Sequence, residues 1–293
     1  MTSFIRQTND RQLDPEYCGD ILLWDIDKTY LDTHFSSKRG LITIPFETAI
    51  DKRSVPGAPP LLRALRRGSG SPNALVPLYF VSGSPPQLQR VIEKRMTMDG
   101  VQYDGLTFKD QWALLRAGRP QDIGRQVGYK MKALLSYWKI FPRNTRWWMF
   151  GDDVEDDAEA FVLFGRVCAG FRQEALDEEL RQRRVHPHDR TEIHTLLLDE
   201  PVGPNPVERV LIHLTRNSPP ERFTHLSQVV ACQSHLQSAL VMATHDKIRP
   251  DAITAVARDL RQRGISEAII ETEIIDAEHR LKIPETLTVR VRT

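Results

Sequence analysis

Two aspartates separated by a single residue stand directly after a short apolar run near the start of the chain. Asp25 and Asp27 follow residues 20–24, a run that is typical of a strand buried on both faces. In an extended chain, residues i and i+2 project to the same side, so both carboxylates can face one substrate. One of them can then act as a nucleophile and the other as a general acid and base.

The same pattern recurs at two other apolar runs. Residues 75–81 end at Ser82, and residues 146–150 are followed by Gly151 and then by Asp152 and Asp153. Carboxylates about 4 Å apart repel by roughly 4 kcal/mol per pair at an effective dielectric constant of 20, so such a cluster needs a cation. Hard oxygen ligands suit magnesium better than zinc, and we therefore expect a Mg²⁺ site.

A lysine and a hydroxyl group complete this pattern. A negatively charged transition state at phosphorus needs positive partners. Lys130 stands at the start of the helix before the third run, from which its ammonium group can reach the site, and Ser82 can donate a hydrogen bond to a phosphoryl group. Lys132, two residues further on, is the alternative lysine.

The elements that must position these residues alternate along the chain. Apolar runs at 20–24, 75–81, 146–150 and 166–169 predict strands. Amphipathic segments between and after them predict helices within residues 59–68, 84–96, 128–142, 153–165 and 171–185. This alternation predicts an α/β fold, with a parallel sheet covered by helices on both faces. In such sheets, ligands bind outside the carboxyl ends of the strands, where the aspartates stand.

The last third of the chain has a different pattern. Residues 186–205 are rich in proline and read as a linker. Residues 206–293 show helical stripes only: Leu226, Val229, Val230, Leu236 and Leu240; Ile253, Val256 and Leu260; and Ile269, Ile270, Ile274 and Ile275. We therefore expect a catalytic domain at 1–185, a linker at 186–205 and an α-helical region at 206–293.

Composition narrows the class of protein. The 40 basic and 39 acidic side chains leave a net charge of +1, which gives no global basic field for nucleic acid. Three cysteines far apart in the chain argue against a disulfide framework. No signal-peptide pattern and no apolar run of membrane-spanning length is present, so we expect a cytoplasmic protein without a transmembrane segment. The oligomeric state is left open.

Four segments together resemble the four motifs of the haloacid dehalogenase (HAD) superfamily, in the order of that family. They are LLWDIDKTYLD, LYFVSGSP, Lys130 and GDDVEDDAEAF. The resemblance implies a Rossmann-like phosphotransferase fold in which Asp25 is the nucleophile and Asp27 the acid and base. It implies phosphate binding by Ser82, Gly83 and Lys130. It also implies magnesium ligands from the Asp25 carboxylate, the Asp27 carbonyl and Asp152, with Asp153 or Asp157 as the further acid.

A narrower resemblance covers roughly residues 20–170. This part of the chain is similar to the catalytic domain of the actin-patch-associated phosphatidate phosphatases, although Asp153 stands where that branch usually has serine. The short gaps between the motifs leave no room for a large cap domain. The resemblance therefore implies a phosphatase for a bulky phosphorylated substrate, such as a phospholipid.

Two other functions fit the same sequence. One is a phosphatase for nucleic-acid ends, which would be bound by the basic clusters Arg63, Arg66, Arg67 and Arg181, Arg183, Arg184. The other is a HAD-like binding module whose C-terminal region recruits a partner.

Several side chains have a structural explanation that we prefer to a functional one. Trp147 and Trp148 read as core packing, and Asp156 reads as a solvated helix start. His34, His186 and His188 have the residue type of a metal ligand, but we expect His186 and His188, in the sequence HPH, to be exposed side chains.

Overall fold

Seven strands form one sheet in the computed structural model, which describes residues 4–32, 53–70 and 75–292. The strands are β1 Ile5–Gln7, β2 Asp20–Asp25, β3 Leu78–Ser82, β4 Gly105–Lys109, β5 Arg146–Asp152, β6 Val207–His213 and β7 Val229–Cys232. They lie in the order β1-β4-β3-β2-β5-β6-β7. β1 pairs antiparallel with β4, and every other pairing in this sheet is parallel.

The strand order places β2 at the centre of the sheet. After β2 the chain adds β3 and β4 on one side, and it then returns to add β5, β6 and β7 on the other. The direction of winding therefore reverses between β2 and β5. In open parallel sheets the crevice at such a reversal, outside the carboxyl ends of the strands, is where ligands bind.

Helices connect the strands and continue to the C-terminus. They are α1 Ala58–Arg67, α2 Gln89–Met98, α3 Gln111–Arg116, α4 Val127–Ile140, α5 Asp157–Cys168, α6 Gln173–Gln182, α7 Pro187–Leu197, α8 His235–Thr244, α9 Asp251–Gln262, α10 Glu267–His279 and α11 Glu285–Arg292. Among the described residues, no helix is long and apolar enough to cross a membrane.

The helices cover the two faces of the sheet. Side chains of α1, α2 and α8–α11 share one hydrophobic cluster with Trp148, while those of α4–α7 share the other with Trp147. Neighbouring residues of β5 thus point to opposite faces, as strand geometry requires. Trp147 and Trp148 are 0% and 1% exposed, which confirms the prediction that they are core residues. Burying each contributes roughly 3 kcal/mol.

The prediction that residues 206–293 are purely helical is wrong. β6 and β7 lie in this region and extend the sheet beyond β5. Val229 and Val230, assigned to a helical stripe with Leu226, Leu236 and Leu240, instead belong to β7. Short apolar runs do not distinguish a buried strand from a helix by period alone, which explains the error.

Two further assignments need correction. The proline-rich linker at 186–205 contains α7, because Pro187 occupies the first turn of a helix, where its missing N–H is not needed. Residues 166–169, predicted as a strand, fall largely within α5, which continues past Gly165. A side chain at Gly165 would collide with Asn205, so this glycine allows close packing and does not end the helix. The prediction also omits β1 and β4.

Candidate active site

The carboxyl ends of β2 and β5 bring three acidic side chains together. Asp25 ends β2, Asp152 ends β5 and Asp157 begins α5. Carboxylate oxygens from the three lie within 4.8 Å of one another. Asp25 and Asp157 are fully buried, and Asp152 is 1% exposed. Mutual repulsion at this separation requires a compensating positive charge.

Lys130 of α4 supplies part of that charge. Its Nζ lies 2.9 Å from Asp25 Oδ1 and also forms an ion pair with Asp157. Burial opposes the ammonium charge, but Asp157 and Asp25 outweigh it and raise the pKa of Lys130 well above the ordinary value of a lysine. The side chain is fully buried and stays protonated.

One lysine does not neutralise the cluster. Burial raises the pKa values of Asp25 and Asp152 well above their ordinary range, with Lys130 acting in the opposite direction on both. Asp25 Oδ2 and Asp152 Oδ2 are buried and have no hydrogen-bond partner among the described residues. The Lys130 contact with Asp25 Oδ1 is an ion pair without hydrogen-bond geometry. Unpaired carboxylate oxygens in this number fit a hard divalent cation such as Mg²⁺.

Local packing explains why a glycine precedes Asp152. A Cβ at Gly151 would collide with the carboxylate of Asp157, so only glycine lets α5 begin this close to β5. Asp152 N donates a hydrogen bond of 3.1 Å to Asp157 Oδ2. The Gly-Asp pair and the acid five residues later therefore form one structural unit.

Asp27 has a different environment from Asp25. Ser82 Oγ donates to Asp27 Oδ2 at 2.7 Å, and Ser84 Oγ lies 2.9 Å from Asp27 Oδ1. Ser84 does not cap the following helix, because its hydroxyl binds Asp27 and Pro85 holds the cap position. The two aspartates thus differ: lysine and acids surround one, and hydroxyl groups bind the other.

Asp153 lies outside the group formed by Asp25, Asp152 and Asp157. Its carboxylate accepts hydrogen bonds from Thr215 Oγ1 at 2.9 Å, Arg216 N at 3.0 Å and Ser218 N at 3.2 Å. Burial acts to raise its pKa, but these hydrogen bonds prevail and lower it. Of the two candidates for the further acid, the structure brings Asp157 to Asp25 and turns Asp153 toward the loop after β6.

Lys132, the alternative lysine, lies at a different place. Its Nζ is 2.7 Å from Asp189 Oδ1 and 2.7 Å from Glu192 Oε2, both on α7. His188, Asp189 and Glu192 have the residue types of a metal site and lie close together. Lys132 and Arg119, which lies 2.5 Å from Asp189, together offset the charge of these two acids, so this group has much less need of a cation than the group at Asp25.

The site residues fall within one matched family segment. The family described as phosphatidate phosphatase APP1, catalytic domain, matches residues 21–169, just over half of the chain. The chain belongs to this family. The match supports a phosphatase, an enzyme that hydrolyses phosphoric monoesters. No curated protein and no solved structure matches the chain.

The matched phosphatase segment spans β2 to the end of α5 and contains the predicted site residues. β6, β7 and the helices from α6 onward lie beyond it. Asp153 connects the two parts through its bonds to the loop at residues 215–218.

Polar groups around Ser82 hold the end of β3 in place. Tyr129 OH donates to Ser82 O at 2.6 Å, and Gln111 Nε2 donates to Gly83 O at 2.7 Å. A Cβ at Gly83 would collide with the side-chain amide of Gln126. Ser82 and Gly83, predicted to bind phosphate, are therefore fixed beside Asp27.

The sequence prediction did not include two charged residues of this site. Glu155 Oε2 lies 3.5 Å from Lys130 Nζ, and Glu155 Oε1 lies 4.0 Å from Lys28 Nζ. Burial raises the pKa of Glu155 to about 7, and Lys130 opposes that shift. Lys28 lies in the motif segment LLWDIDKTYLD, and Glu155 lies in GDDVEDDAEAF. Their positions inside these segments could have identified them as candidate site residues.

The remaining candidates lie elsewhere. Asp156 is the exposed residue before α5, in agreement with a solvated helix start. His34 falls outside the described residues. His186 and His188, predicted to be exposed, are partly buried, and His186 Nδ1 accepts a hydrogen bond from His188 N at 3.1 Å.

Three of the six arginines in the basic clusters form ion pairs within the protein. Arg66 forms a buried ion pair with Asp104. Arg181 pairs with Asp177 at 2.5 Å and Arg183 with Glu179 at 2.7 Å. These contacts favour a structural role over binding of an anionic polymer.

Proposed function

We propose that the protein is a magnesium-dependent phosphatase of the HAD type that cleaves a phosphomonoester through an aspartyl-phosphate intermediate. The observation that carries the proposal is the group of buried carboxylates at Asp25, Asp152 and Asp157 around Lys130. It lies where the winding of the sheet reverses, inside the segment that matches a phosphatidate phosphatase family.

Asp25 is proposed as the nucleophile. In the first step its ionised carboxylate attacks phosphorus, an O–P bond forms, and the ester O–P bond to the leaving group breaks. Lys130 beside Asp25 would offset negative charge on the phosphoryl group. The order of strands supports this role, because Asp25 ends the central strand β2.

Asp27 is proposed as the general acid and base. Protonated at the start of the cycle, it gives its proton to the leaving oxygen, and the product alcohol departs. Its carboxylate then takes a proton from water, the water oxygen attacks phosphorus, and inorganic phosphate and free Asp25 result. The hydroxyl groups of Ser82 and Ser84 orient Asp27 for both transfers.

The unpaired oxygens of Asp25 and Asp152 are the proposed magnesium ligands, with the backbone carbonyl of Asp27 as a third and Asp157 nearby. A bound magnesium ion would offset the repulsion among the carboxylates and the negative charge that develops on the phosphoryl group. The family name favours a phosphatidate-like lipid phosphomonoester as the substrate.

The test is hydrolysis of p-nitrophenyl phosphate by wild-type protein and by Asp25→Asn, with Mg²⁺ and with EDTA. We expect Asp25→Asn to lower kcat by about a thousandfold or more, as removal of a nucleophile does. Asp251→Asn, an exposed aspartate at the start of α9, is the matched control and should retain full activity. Normal turnover by a folded Asp25→Asn protein would refute the nucleophile assignment.

A substrate panel then tests the lipid preference. It compares phosphatidate, sugar phosphates, nucleotides and oligonucleotides phosphorylated at either end. The proposal expects the highest kcat/KM for phosphatidate. A higher value for oligonucleotides would instead favour the nucleic-acid end phosphatase.

A further inference from the structure

Lys28 occupies an unusual position between Asp27 and Thr29. Its φ angle is 64°, in the left-handed region that favours glycine. A non-glycine residue held there costs on the order of 1 kcal/mol or more, and this conformation persists only where the surrounding structure fixes it. The side chain of Lys28 is 31% exposed, so part of it is accessible to solvent.

The surrounding structure does fix this backbone. Lys28 N donates to Leu31 O at 2.7 Å, and His235 Nε2 lies 2.8 Å from Thr29 O. The ring of His235 packs against that of His213, with their centroids 4.8 Å apart. His235 of α8, which lies beyond the segment that matches the phosphatase family, thus helps to hold the turn after Asp27 in its left-handed form.

The side chain of Lys28 is partly exposed and lies next to Glu155. Its Nζ is 4.0 Å from Glu155 Oε1, and the other oxygen of Glu155 is 3.5 Å from Lys130 Nζ. The side chain of Glu155 is 15% exposed, whereas that of Lys130 is fully buried. Glu155 therefore lies between a buried lysine beside the proposed nucleophile and a solvent-accessible one.

The site has more negative than positive charge, so a further positive side chain can help to bind an anionic substrate. Asp25, Asp152, Asp157 and Glu155 bring four carboxylates to this region, and a phosphomonoester adds up to two more negative charges. We propose that Lys28 binds a phosphoryl oxygen of the substrate, with Glu155 as its resting partner. The inference rests on the proposed function and adds a phosphate-binding residue to the predicted Ser82, Gly83 and Lys130. A charge-assisted hydrogen bond from a partly exposed ammonium group suits this task.

The decisive variant is Lys28→Gly, because glycine is the residue that the backbone conformation prefers. This substitution removes the ammonium group and at the same time relieves the backbone strain at position 28. We expect its thermal stability to equal or exceed that of wild type, while KM for p-nitrophenyl phosphate and Ki for inorganic phosphate rise about tenfold or more. Lys28→Arg, which keeps the charge, should recover most of the affinity.

The matched control is Lys282→Gly. Lys282 also has a left-handed backbone, with φ 58°, but it is an exposed residue between α10 and α11. Its replacement should leave KM and Ki unchanged. Unchanged KM and Ki in Lys28→Gly, or equal rises in both glycine variants, would overturn the inference while leaving the phosphatase proposal in place. A wild-type protein that neither hydrolyses p-nitrophenyl phosphate nor binds phosphate would overturn both.

Discussion

Lys130 and Lys132 lie two residues apart on α4, yet each contacts a different group of buried acids. Lys130 faces Asp25 and Asp157 at the sheet edge, and Lys132 faces Asp189 and Glu192 on α7. Both groups contain three residues of metal-ligand type. They differ in how completely the protein neutralises them.

The group on α7 has more positive charge around it. Besides Lys132, Arg119 lies 2.5 Å from Asp189 and 2.7 Å from Asp122. Burial acts to raise the pKa of Asp189, but Lys132 and Arg119 prevail and lower it. The pKa values of Asp25, Asp152 and Asp157 are raised instead. Ion pairs therefore outweigh burial at Asp189, whereas burial outweighs Lys130 in the group at Asp25.

The largest expected effect separates the two lysines. Lys130→Met should lower kcat/KM for p-nitrophenyl phosphate by about a hundredfold or more, because it removes a positive charge beside the reacting group. Lys132→Met should keep the activity per folded molecule but lower the free energy of unfolding by about 3 kcal/mol, because Asp189 and Glu192 lose a partner. Steady-state kinetics and urea unfolding of both variants check this, with circular dichroism to establish folding. An equal loss of activity in the two variants, both folded, would contradict the assignment of different roles to Lys130 and Lys132.

The second prediction concerns pH. Asp189 has a lowered pKa in the folded protein, so its carboxylate stabilises the fold above the ordinary value of 3.8, and this contribution is lost as pH falls through the folded-state pKa. Asp189→Asn should therefore be less stable than wild type by about 3 kcal/mol at neutral pH. The gap should narrow as the pH falls below 3.8. Urea unfolding across this range measures it, and a gap that does not change with pH would argue against the ion-pair account.

A smaller effect separates the neighbours Asp152 and Asp153. Asp153→Ala should lower the free energy of unfolding by about 2 kcal/mol, since the loop at residues 215–218 loses its acceptor. Magnesium affinity should not change, because this carboxylate faces the loop. Calorimetric titration with Mg²⁺ tests the expected magnesium affinity, and urea unfolding tests the expected loss of stability. Loss of magnesium binding in the folded variant would place Asp153 among the ligands after all.

The sequence was most informative where apolar runs end in polar residues. β2, β3 and β5 are continuous apolar segments that end at Asp25, Ser82 and Asp152, so both the strands and the edge that they share could be predicted. Lys130 could be proposed from the sequence as the lysine of the site. The sequence alone does not decide between Lys130 and Lys132, because the answer depends on the direction in which each side chain leaves α4.

The rest depends on tertiary contacts. β7 has only four residues, too few for the strand period to appear. Gly165 has the sequence signature of a helix end, yet it lies inside α5 because Asn205 packs against it. Likewise, Asp153 and Asp157 are both aspartates and lie only four residues apart in the sequence. The hydrogen bonds from the loop after β6 to Asp153, which the sequence does not show, hold that carboxylate away from Asp25.

The most direct test of the central claim is a calorimetric titration of Mg²⁺ into wild-type protein, Asp152→Asn and Asp189→Asn. The account predicts one magnesium ion per wild-type chain, no measurable binding to Asp152→Asn, and unchanged binding to Asp189→Asn. Magnesium binding that survives in Asp152→Asn, or that is lost in a folded Asp189→Asn, would contradict the assignment of the metal site to the carboxyl edge of β2 and β5.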